Sequence, residues 1–259
     1  MNCVDEQKDY VDIVIINHNT ANYLASCLDS IRKYSDYPYQ VTVVDNGSTD
    51  HSLALLAQYN WVKTIANKTN QGYARACNQG INGNTGPFIL LLNSDVEVTP
   101  NWLSPMVQCM QSNPLNGVVG NRQINAEGQL AGAGVIGDYP FQYRGWGLPF
   151  RQDLYDREEE VISISGACMM IKRELLPVLH LLDERYFFYF EDTDYCYQAR
   201  AKGYRVVYCP ASTVFHYCDT SPLKDKLRLR YYLAAKKLFE HKWGLGAFKK
   251  KGGKTVEPD

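Results

Sequence analysis

Two groups of carboxylates, far apart in the chain, each follow a segment that is apolar enough to be buried. Asn93-Ser94-Asp95 follows the apolar residues 88–92, and Glu191-Asp192-Thr193-Asp194 follows the aromatic residues 186–190. A carboxylate at the edge of a core costs free energy unless it is paired, hydrogen-bonded or bound to a metal. We therefore expect one pocket with two tasks, holding a cation and moving a proton.

The composition is that of a globular protein. The chain has 259 residues, of which 45% are apolar and 21% charged, so it is long enough for one large α/β domain or two small ones. The net charge of −1 gives no general attraction to nucleic acid, and we expect no nucleic-acid partner. The segment 224–254 nevertheless holds eleven Lys or Arg against Asp225 and Glu240.

The cysteines and the apolar runs bear on the compartment. The eight cysteines form no C-x-x-C pair, which argues against a zinc site and favours reduced core thiols in a cytosolic protein. Residues 1–10 are polar and acidic, unlike a secretory signal. The longest apolar runs are too short to span a membrane, so we expect a cytoplasmic location.

The first half of the chain alternates between strand and helix patterns. Strands are predicted at 12–16, 39–44, 61–66, 88–92 and 118–119, and helices at 22–34, 52–59, 73–81 and 101–111. This alternation predicts a mostly parallel sheet with helices on both faces, which binds ligands beyond the carboxyl ends of its strands. Asn17, Asp45, Asn67 and Asn93 each follow a strand and should share that rim.

The second half is less regular. Residues 123–160 are rich in Gly, Tyr, Arg and Trp, and a segment of this length without regular structure is usually functional. After it we predict strands at 161–171, 204–208 and 213–216, and helices at 173–179, 192–202 and 224–243.

Five ordered motifs resemble those of family-2 inverting glycosyltransferases of the GT-A fold. The matching segments are residues 12–20, 43–50, 70–81, 91–95 and 190–194. The resemblance runs from Val11 to Ser221 and is closest in style to bacterial rhamnosyltransferase-like members that build cell-surface polysaccharides. It implies a GT-A domain over 1–222, with a Rossmann-like sheet, a nucleotide-sugar-binding half at 11–120 and an acceptor-binding half at 121–222. A basic helical tail, 223–259, follows.

The resemblance assigns the N-terminal half to a nucleotide-sugar donor. The implied donor-binding residues are Asn17, Asn19, Asp45, Asn46, Asn70, Gly72, Tyr73, Asn78, Asn93 and Ser94. Asp45 at a strand end can accept a hydrogen bond from a nucleobase or a ribose, or it can simply organise the turn that follows. Residues 70–80 would approach the diphosphate; the alternative is an ordinary loop-to-helix junction.

A Mn²⁺ or Mg²⁺ ion is expected at Asp95, since oxygen ligands suit these ions and a leaving diphosphate needs its charge neutralised. Asn93 stands where the family motif has its first aspartate, so Asp95 has to carry the metal. By resemblance His216 joins it, although a structural histidine is the alternative. An Asx turn is the alternative at Asp95. Asp219 stands where the family commonly has glycine.

The second acidic cluster is expected to remove the proton from the acceptor. By resemblance Asp192 is the base, with Glu191 as the second choice, and an aromatic surrounding can raise the pKa of such a carboxylate. The acceptor-binding residues are expected to be Gly166, Ala167, Trp146 and Asp194. Asp194 is alternatively a residue that stabilises the start of the helix, and the whole cluster a charged helix N-terminus.

The sequence therefore indicates a metal-dependent inverting glycosyltransferase. Its donor is expected to be dTDP-L-rhamnose, or else a UDP-sugar, and its acceptor a glycan or lipid-linked saccharide. A nucleotidyltransferase would need a basic triphosphate loop, and residues 17–25 contain no Lys or Arg. An inactive glycan-binding relative is the other alternative, against which stands the presence of both Asp95 and Asp192.

The basic tail has three interpretations. Leu227, Tyr231, Ala234 and Leu238 share one helical face, with Lys and Arg around it. Such a helix can lie on an anionic membrane surface, pack on the domain, or form an oligomer contact. A peripheral membrane position would suit a lipid-linked acceptor.

Overall fold

A ten-stranded sheet forms the centre of the fold. The structure, a computed structural model, describes residues 9–217 and 225–246. The strands are β1 (Val11–Asn17), β2 (Tyr39–Asp45), β3 (Val62–Ala66), β4 (Phe88–Asn93), β5 (Val96–Val98), β6 (Asn116–Ile124), β7 (Leu130–Gly132), β8 (Val135–Ile136), β9 (Gln142–Tyr143), β10 (Glu159–Glu160), β11 (Cys168–Lys172) and β12 (Arg205–His216). The α-helices are α1 (Ala21–Tyr34), α2 (Ser52–Leu56), α3 (Tyr73–Asn82), α4 (Leu103–Ser112), α5 (Leu176–Leu179), α6 (Glu191–Ala201) and α7 (Asp225–Trp243).

The strand order is β10-β12-β6-β11-β4-β1-β2-β3, with β5 paired to β12 and β7 paired to β6. Strands β4, β1, β2 and β3 run parallel, as do β6 and β12. Strand β11 is inserted antiparallel between β4 and β6. The parallel strands end at one rim, where Asn17 lies opposite Asp45 in the register. The predicted α/β architecture with a mostly parallel central sheet is confirmed.

Alternation along the buried strands explains why both faces carry helices. Ile13 and Ile15 of β1 belong to the core under α1 and α4, whereas Val14 and Ile16 belong to the core under α3 and α6. On the second face Gly80 of α3 lies directly against β1, because an added Cβ there would be 2.2 Å from Val14 Cγ1. This close contact brings the N-terminus of α3 to the rim.

The strand predictions in the second half need correction. Residues 161–171 are not one strand: β11 begins only at Cys168, after an irregular stretch that contains Gly166. Residues 204–208 and 213–216 belong to a single strand, β12, whose register against β6 shifts between Cys209 and Thr213. The segment 123–160 contains the four short strands β7–β10, and β5 was not predicted.

Helix α7 packs on the rest of the molecule. Its buried residues are Ala235 and Phe239, which join Tyr186 and Phe190 in a third apolar cluster rich in aromatic rings. The predicted apolar face is therefore rotated, since Ala234 is exposed. The interpretation in which the tail packs on the domain thus holds for residues 225–243.

The core cysteines agree with the sequence prediction. Each described cysteine is free and buried: Cys27, Cys77, Cys109, Cys168, Cys196 and Cys209. Residues 1–8, 218–224 and 247–259 lie outside the described part of the chain, and they include Cys3, Cys218 and Asp219. Across residues 9–217 and 225–246, none of the helices has the length and apolar character that crossing a bilayer requires.

Candidate active site

The pairing of β5 with β12 brings Asp95 and His216 together. Val96 lies opposite His216 in this antiparallel register, and the Tyr217 N–H donates to the Asp95 carbonyl at 3.1 Å. Consequently His216 Nε2 lies 3.4 Å from Asp95 Oδ1, with both side chains largely buried. A carboxylate and an imidazole are ligands that Mn²⁺ accepts. Among the described residues, no group of three or more His, Cys, Asp or Glu could hold a metal, so other ligands would have to complete the site.

Asn93 and Ser94 are held by hydrogen bonds from neighbouring elements. Ser94 Oγ lies 2.7 Å from Thr20 Oγ1, just before α1. Asn93 Oδ1 accepts a hydrogen bond from the Tyr73 hydroxyl at 2.9 Å, and the Asn93 N–H donates to the Ala167 carbonyl at 3.0 Å. The loop that precedes β5 is thus fixed to α3 and to the segment before β11.

Asn17 and Asp45 form the base of the predicted donor site. Both are fully buried, and Asn17 Nδ2 donates to Asp45 Oδ2 at 2.8 Å. The Ser48 N–H donates to Asp45 Oδ1 at 3.0 Å, so this carboxylate organises the turn after β2. Asn19, in a left-handed conformation, accepts from the Thr49 N–H at 2.6 Å. Contact of Asp45 with a nucleobase stays a prediction, since a carboxylate can accept more than these two hydrogen bonds.

Two asparagines shape the loop before α3. Asn46 Nδ2 donates to Asn70 Oδ1 at 3.0 Å and to the Gly72 carbonyl at 3.1 Å. The Gly72 N–H in turn donates to Asn70 Oδ1 at 2.9 Å. Gly72 has φ +86° and ψ 161°, a conformation open essentially to glycine alone. Its close neighbour is Phe187, whose carbonyl oxygen would lie 2.8 Å from an added Cβ.

The side chain of Asn78 is bonded within the protein. Its side chain is buried, where Nδ2 donates to the Leu182 carbonyl at 2.9 Å and Oδ1 accepts from the Leu182 N–H at 3.0 Å. The amide is thereby used to hold the segment 181–184 against α3. Asn78 thus stabilises the fold, and its contact with a nucleotide stays a prediction.

Asp192 lies in the first turn of α6, beside the segment that precedes β11. Its Oδ2 accepts from the Gly166 N–H at 2.7 Å, and its Oδ1 accepts from the Thr193 N–H at 2.6 Å. Burial raises the pKa of Asp192, although these hydrogen bonds act in the opposite direction. The Tyr73 hydroxyl also contacts the Gly166 carbonyl, at 3.0 Å. Tyr73 therefore connects the loop of Asp95 to the support of Asp192, a role that its motif did not indicate.

Glu191 is in a different environment from its neighbour. The residue is buried, and Oε2 has no hydrogen-bond partner among the described residues. Burial, followed by the charge of Asp192, raises the pKa of Glu191 well above its usual value. Burial therefore favours the protonated form of Glu191, whereas the hydrogen bonds to Asp192 favour its ionised form, so Asp192 is the better candidate for a base.

Asp194, predicted to contact the acceptor, is bonded to other parts of the protein. Asp194 is 0% exposed, and its carboxylate accepts hydrogen bonds from α6 itself and from α7. The donors are Tyr186, Gln198, Lys242 and Trp243. Asp194 therefore anchors the first turn of α6 to α7.

The backbone donors expected to bind an acceptor are engaged within the protein. The Gly166 N–H bonds Asp192, and the Ala167 N–H bonds Ser165 Oγ at 3.3 Å. Both N–H groups thus support the site, and contact of these residues with an acceptor stays a prediction. Trp146, by contrast, is 62% exposed, with its ring centroid 6.5 Å from that of Tyr143. Sequence reasoning missed Tyr143, although it stands in the same aromatic, glycine-rich stretch. Its pKa is raised by desolvation and next by the charge of Asp192, so Tyr143 lies within electrostatic range of that carboxylate.

Two known proteins are similar to this chain in sequence. The chain resembles the N-acetylglucosaminyl-diphospho-decaprenol L-rhamnosyltransferase of Mycobacterium tuberculosis, with 25% identity over 84% of this chain and 79% of the relative. It is 28% identical to the O-antigen biosynthesis protein RfbC of Myxococcus xanthus, over 84% of this chain but only 18% of that longer protein.

Solved structures show the same fold. The GalNAc-T7 structure with UDP, GalNAc and Mn²⁺ superimposes with a TM-score of 0.71 at 20% identity, covering 95% of this chain and 50% of that one. The mannosyltransferase PcManGT from Pyrobaculum calidifontis, with GDP-Man and Mn²⁺, gives 0.61 at 19% identity, covering 84% and 59%. The predicted GT-A fold is confirmed. The model of the family described as Glycosyl transferase family 2 matches residues 12–179. The chain therefore belongs to that family of glycosyltransferases.

Proposed function

We propose that this glycosyltransferase moves a sugar from a nucleoside diphosphate donor to a saccharide hydroxyl with inversion at the anomeric carbon. The observation that carries the proposal is the connection made by Tyr73. Its hydroxyl contacts Asn93, in the loop of Asp95, and Gly166, whose N–H binds Asp192. This connection supports one site for both acidic groups, in which Asp95 would hold the diphosphate and Asp192 would face the acceptor.

Asp95 and His216 are the residues proposed to hold Mn²⁺ or Mg²⁺. Their donor atoms lie 3.4 Å apart at the rim, and a buried carboxylate beside an imidazole fits a divalent ion whose remaining ligands are diphosphate oxygens and water. When bound, the ion would neutralise the charge that develops on the leaving diphosphate. The Mn²⁺ in the GalNAc-T7 and PcManGT structures supports this assignment.

Asp192 is the proposed general base. It takes the proton from the acceptor hydroxyl as that oxygen attacks the anomeric carbon, while the bond from that carbon to the diphosphate breaks on the opposite face. Gly166 and Thr193 orient the carboxylate, and its raised pKa makes it a better proton acceptor than an exposed aspartate. Trp146 and Tyr143 offer aromatic faces on which an acceptor sugar can stack.

The proposed donor is dTDP-L-rhamnose, with a UDP-sugar as the alternative, and the proposed acceptor is a lipid-linked saccharide of a cell-surface polysaccharide. Similarity to the mycobacterial rhamnosyltransferase supports both choices. We further propose that α7 makes peripheral contact with the inner face of the membrane. Its outer side exposes Leu229 and Leu233 beside Arg230 and Lys237, a pairing of apolar and basic side chains that suits an anionic bilayer.

Nucleotide binding tests the donor site first. UDP, dTDP, GDP and CDP are added with and without Mn²⁺, and the melting temperature is measured. A ligand at a hundredfold excess over its Kd stabilises the folded state by about 2.7 kcal/mol. We expect a metal-dependent shift with dTDP or UDP that Asp95→Ala abolishes and that Asp29→Ala, an exposed change on α1, leaves intact. Metal dependence that survives Asp95→Ala would place the ion elsewhere.

Transfer tests the chemistry. Release of dTDP from dTDP-L-rhamnose, or of UDP from UDP-sugars, is followed with a lipid-linked N-acetylglucosamine acceptor. Asp192→Asn should retain the nucleotide-induced shift and lose transfer by on the order of 10²–10⁴-fold. Transfer by Asp192→Asn near the wild-type rate would remove Asp192 from the role of base.

Sedimentation with vesicles tests the membrane contact. Wild-type protein should bind vesicles that contain phosphatidylglycerol and not vesicles of phosphatidylcholine alone. The double change Leu229→Ser and Leu233→Ser should reduce binding, whereas Ala234→Ser on the same helix should not. If the double variant binds these vesicles as well as Ala234→Ser does, the face with Leu229 and Leu233 does not contact the membrane.

A further inference from the structure

The carboxylate of Asp194 is the centre of a buried network that joins α6 to the end of α7. Lys242 Nζ lies 2.8 Å from Asp194 Oδ2, and Trp243 Nε1 donates to Asp194 Oδ1 at 2.8 Å. Tyr186 donates to Oδ1 at 3.2 Å and Gln198 to Oδ2 at 2.8 Å, so both oxygens are fully satisfied. The Lys242 side chain is only 11% exposed.

Lys242 also binds a second carboxylate. Its Nζ lies 2.9 Å from Asp183 Oδ2. Arg185 Nη2 lies 2.6 Å from the same oxygen. Burial alone would raise the pKa of Asp183, but the hydrogen bonds from Arg185 and Lys242 hold it below its usual value. Among the described residues, Lys242 is the cation that forms an ion pair with Asp194. Loss of the Lys242 ammonium group would therefore leave the buried Asp194 carboxylate without that cation.

This network lies behind the proposed base. Asp194 follows Asp192 by two positions, which places the two side chains about 200° apart around the helix. Asp192 accepts a hydrogen bond from Gly166, whereas Asp194 accepts hydrogen bonds from α7. A displacement of the turn at Asp194 therefore moves the carboxylate of Asp192 as well.

The start of α6 needs such an anchor. Tyr189 and Phe190, directly before the helix, both have left-handed backbone conformations, with φ of +73° and +67°. Such conformations cost free energy and persist only where the surroundings enforce them. The first turn also contains three acidic residues, and Lys242 brings a positive charge to it. Tyr232 of α7 packs on Phe190, with ring centroids 5.6 Å apart.

We propose that Lys242 and Trp243 are positioning residues for the transfer reaction, which hold the first turn of α6 through Asp194 so that Asp192 faces the acceptor. The proposal rests on the proposed function of Asp192. The proposal gives α7 a role in positioning the acceptor-side residue Asp192. This helix lies outside residues 12–179, the part of the chain that the family model matches. Donor-site residues such as Asn17 and Asp45 have no direct contact with this network, so loss of Lys242 should affect the rate of transfer more than nucleotide binding.

Two variants are compared with a matched control. Lys242→Met and Trp243→Phe remove the two bonds from α7, and Lys236→Met removes a cation on the same helix whose partner is Glu240 at 4.0 Å. Hydrogen–deuterium exchange is measured over residues 187–198, and kcat and KM are measured for transfer. Both Lys242→Met and Trp243→Phe should speed exchange in the first turn of α6, and Lys242→Met should lower kcat about tenfold or more with KM for the nucleotide-sugar little changed. Lys236→Met should match the wild type in both measurements.

Further variants separate misfolding from mispositioning. Lys242→Arg can bridge both carboxylates and should restore most of kcat. If Lys242→Met does not fold, Asp194→Asn combined with Lys242→Met replaces the charged pair with a neutral one and is measured instead.

Unchanged exchange in the first turn, or a kcat equal to that of Lys236→Met, would overturn the inference. Exchange does not depend on catalysis. A wild type that transfers no sugar while Lys242→Met still loosens α6 would therefore count against the proposed function and not against the anchor.

Discussion

Removing the Tyr73 hydroxyl tests whether the two halves of the cleft are joined as described. Tyr73→Phe deletes one O–H, which contacts Asn93 Oδ1 at 2.9 Å and the Gly166 carbonyl at 3.0 Å, and leaves the ring in place. One hydroxyl proton serves both acceptors, so the change removes about one hydrogen bond, worth about 0.5–1.5 kcal/mol of net stability.

The effect on stability should be small and measurable. For a chain of this size, 1 kcal/mol shifts the melting temperature by about 2–4 °C. The effect on catalysis should be larger, because both acceptors belong to segments that position Asp95 or Asp192. We expect kcat to fall about tenfold, in line with the cost of small misplacements in an active site.

Tyr59→Phe is the matched control. The Tyr59 hydroxyl donates to Asp29 at 3.1 Å on the exposed surface, away from the rim. Differential scanning calorimetry and steady-state transfer are measured for both variants. If Tyr73→Phe loses no more activity than Tyr59→Phe, the connection through Tyr73 does not position the site and the reasoning is refuted.

Three further predictions concern the acidic cluster and the glycine loop. Because burial raises the pKa of Asp192, transfer should be lost as the pH falls through a value above that of an ordinary aspartate, which the pH profile of kcat/KM measures. Glu191→Gln should keep transfer within a few-fold. Its melting temperature should exceed that of the wild type at pH 7 but not near pH 4. A carboxyl group whose pKa is raised in the folded protein lowers the free energy of unfolding only at a pH above its pKa in the unfolded chain. Gly72→Ala should destabilise by more than about 2 kcal/mol in urea unfolding, since it combines a strained backbone with a clash against Phe187. Gly203→Ala, also at positive φ but in open space, should cost about 1 kcal/mol.

The sequence predicted the parallel half of the fold well because β1, β2 and β4 are short and largely buried strands, and a helix follows each of β1, β2 and β3. It predicted less of the other half. The run 161–171 looks like one strand, yet Gly166 turns the backbone so that its N–H meets Asp192, and pairing begins only at Cys168. Periodicity does not reveal such a turn, because apolar residues stand on both sides of it, Val161, Ile162 and Ile164 before it and residues 167–171 after it.

The site residues divide in the same way. The resemblance predicted that Asp95 and His216 share one site. In the structure the pairing of β5 with β12 places these two side chains next to each other. Asn78 and Asp194 were placed in the site because they stand inside matching motifs, but their partners, Leu182 and Lys242, are distant in sequence. A single chain without contact information does not show which polar residue of a motif is satisfied internally.

The register shift in β12 has a consequence for how this chain can change in length. Between Cys209 and Thr213 the strand carries extra residues against β6, and beyond them pairing resumes and continues to His216. A residue gained or lost within this bulge can be absorbed locally, while the same change between Thr213 and His216 would turn the imidazole to the opposite face of the sheet. The bulge thus separates the part of β12 that builds the core from the part that positions His216. Insertions should accordingly be accepted better between Pro210 and Ala211 than between Thr213 and His216, whereas Ser212 is buried and accepts a hydrogen bond from Asn121 at 3.0 Å.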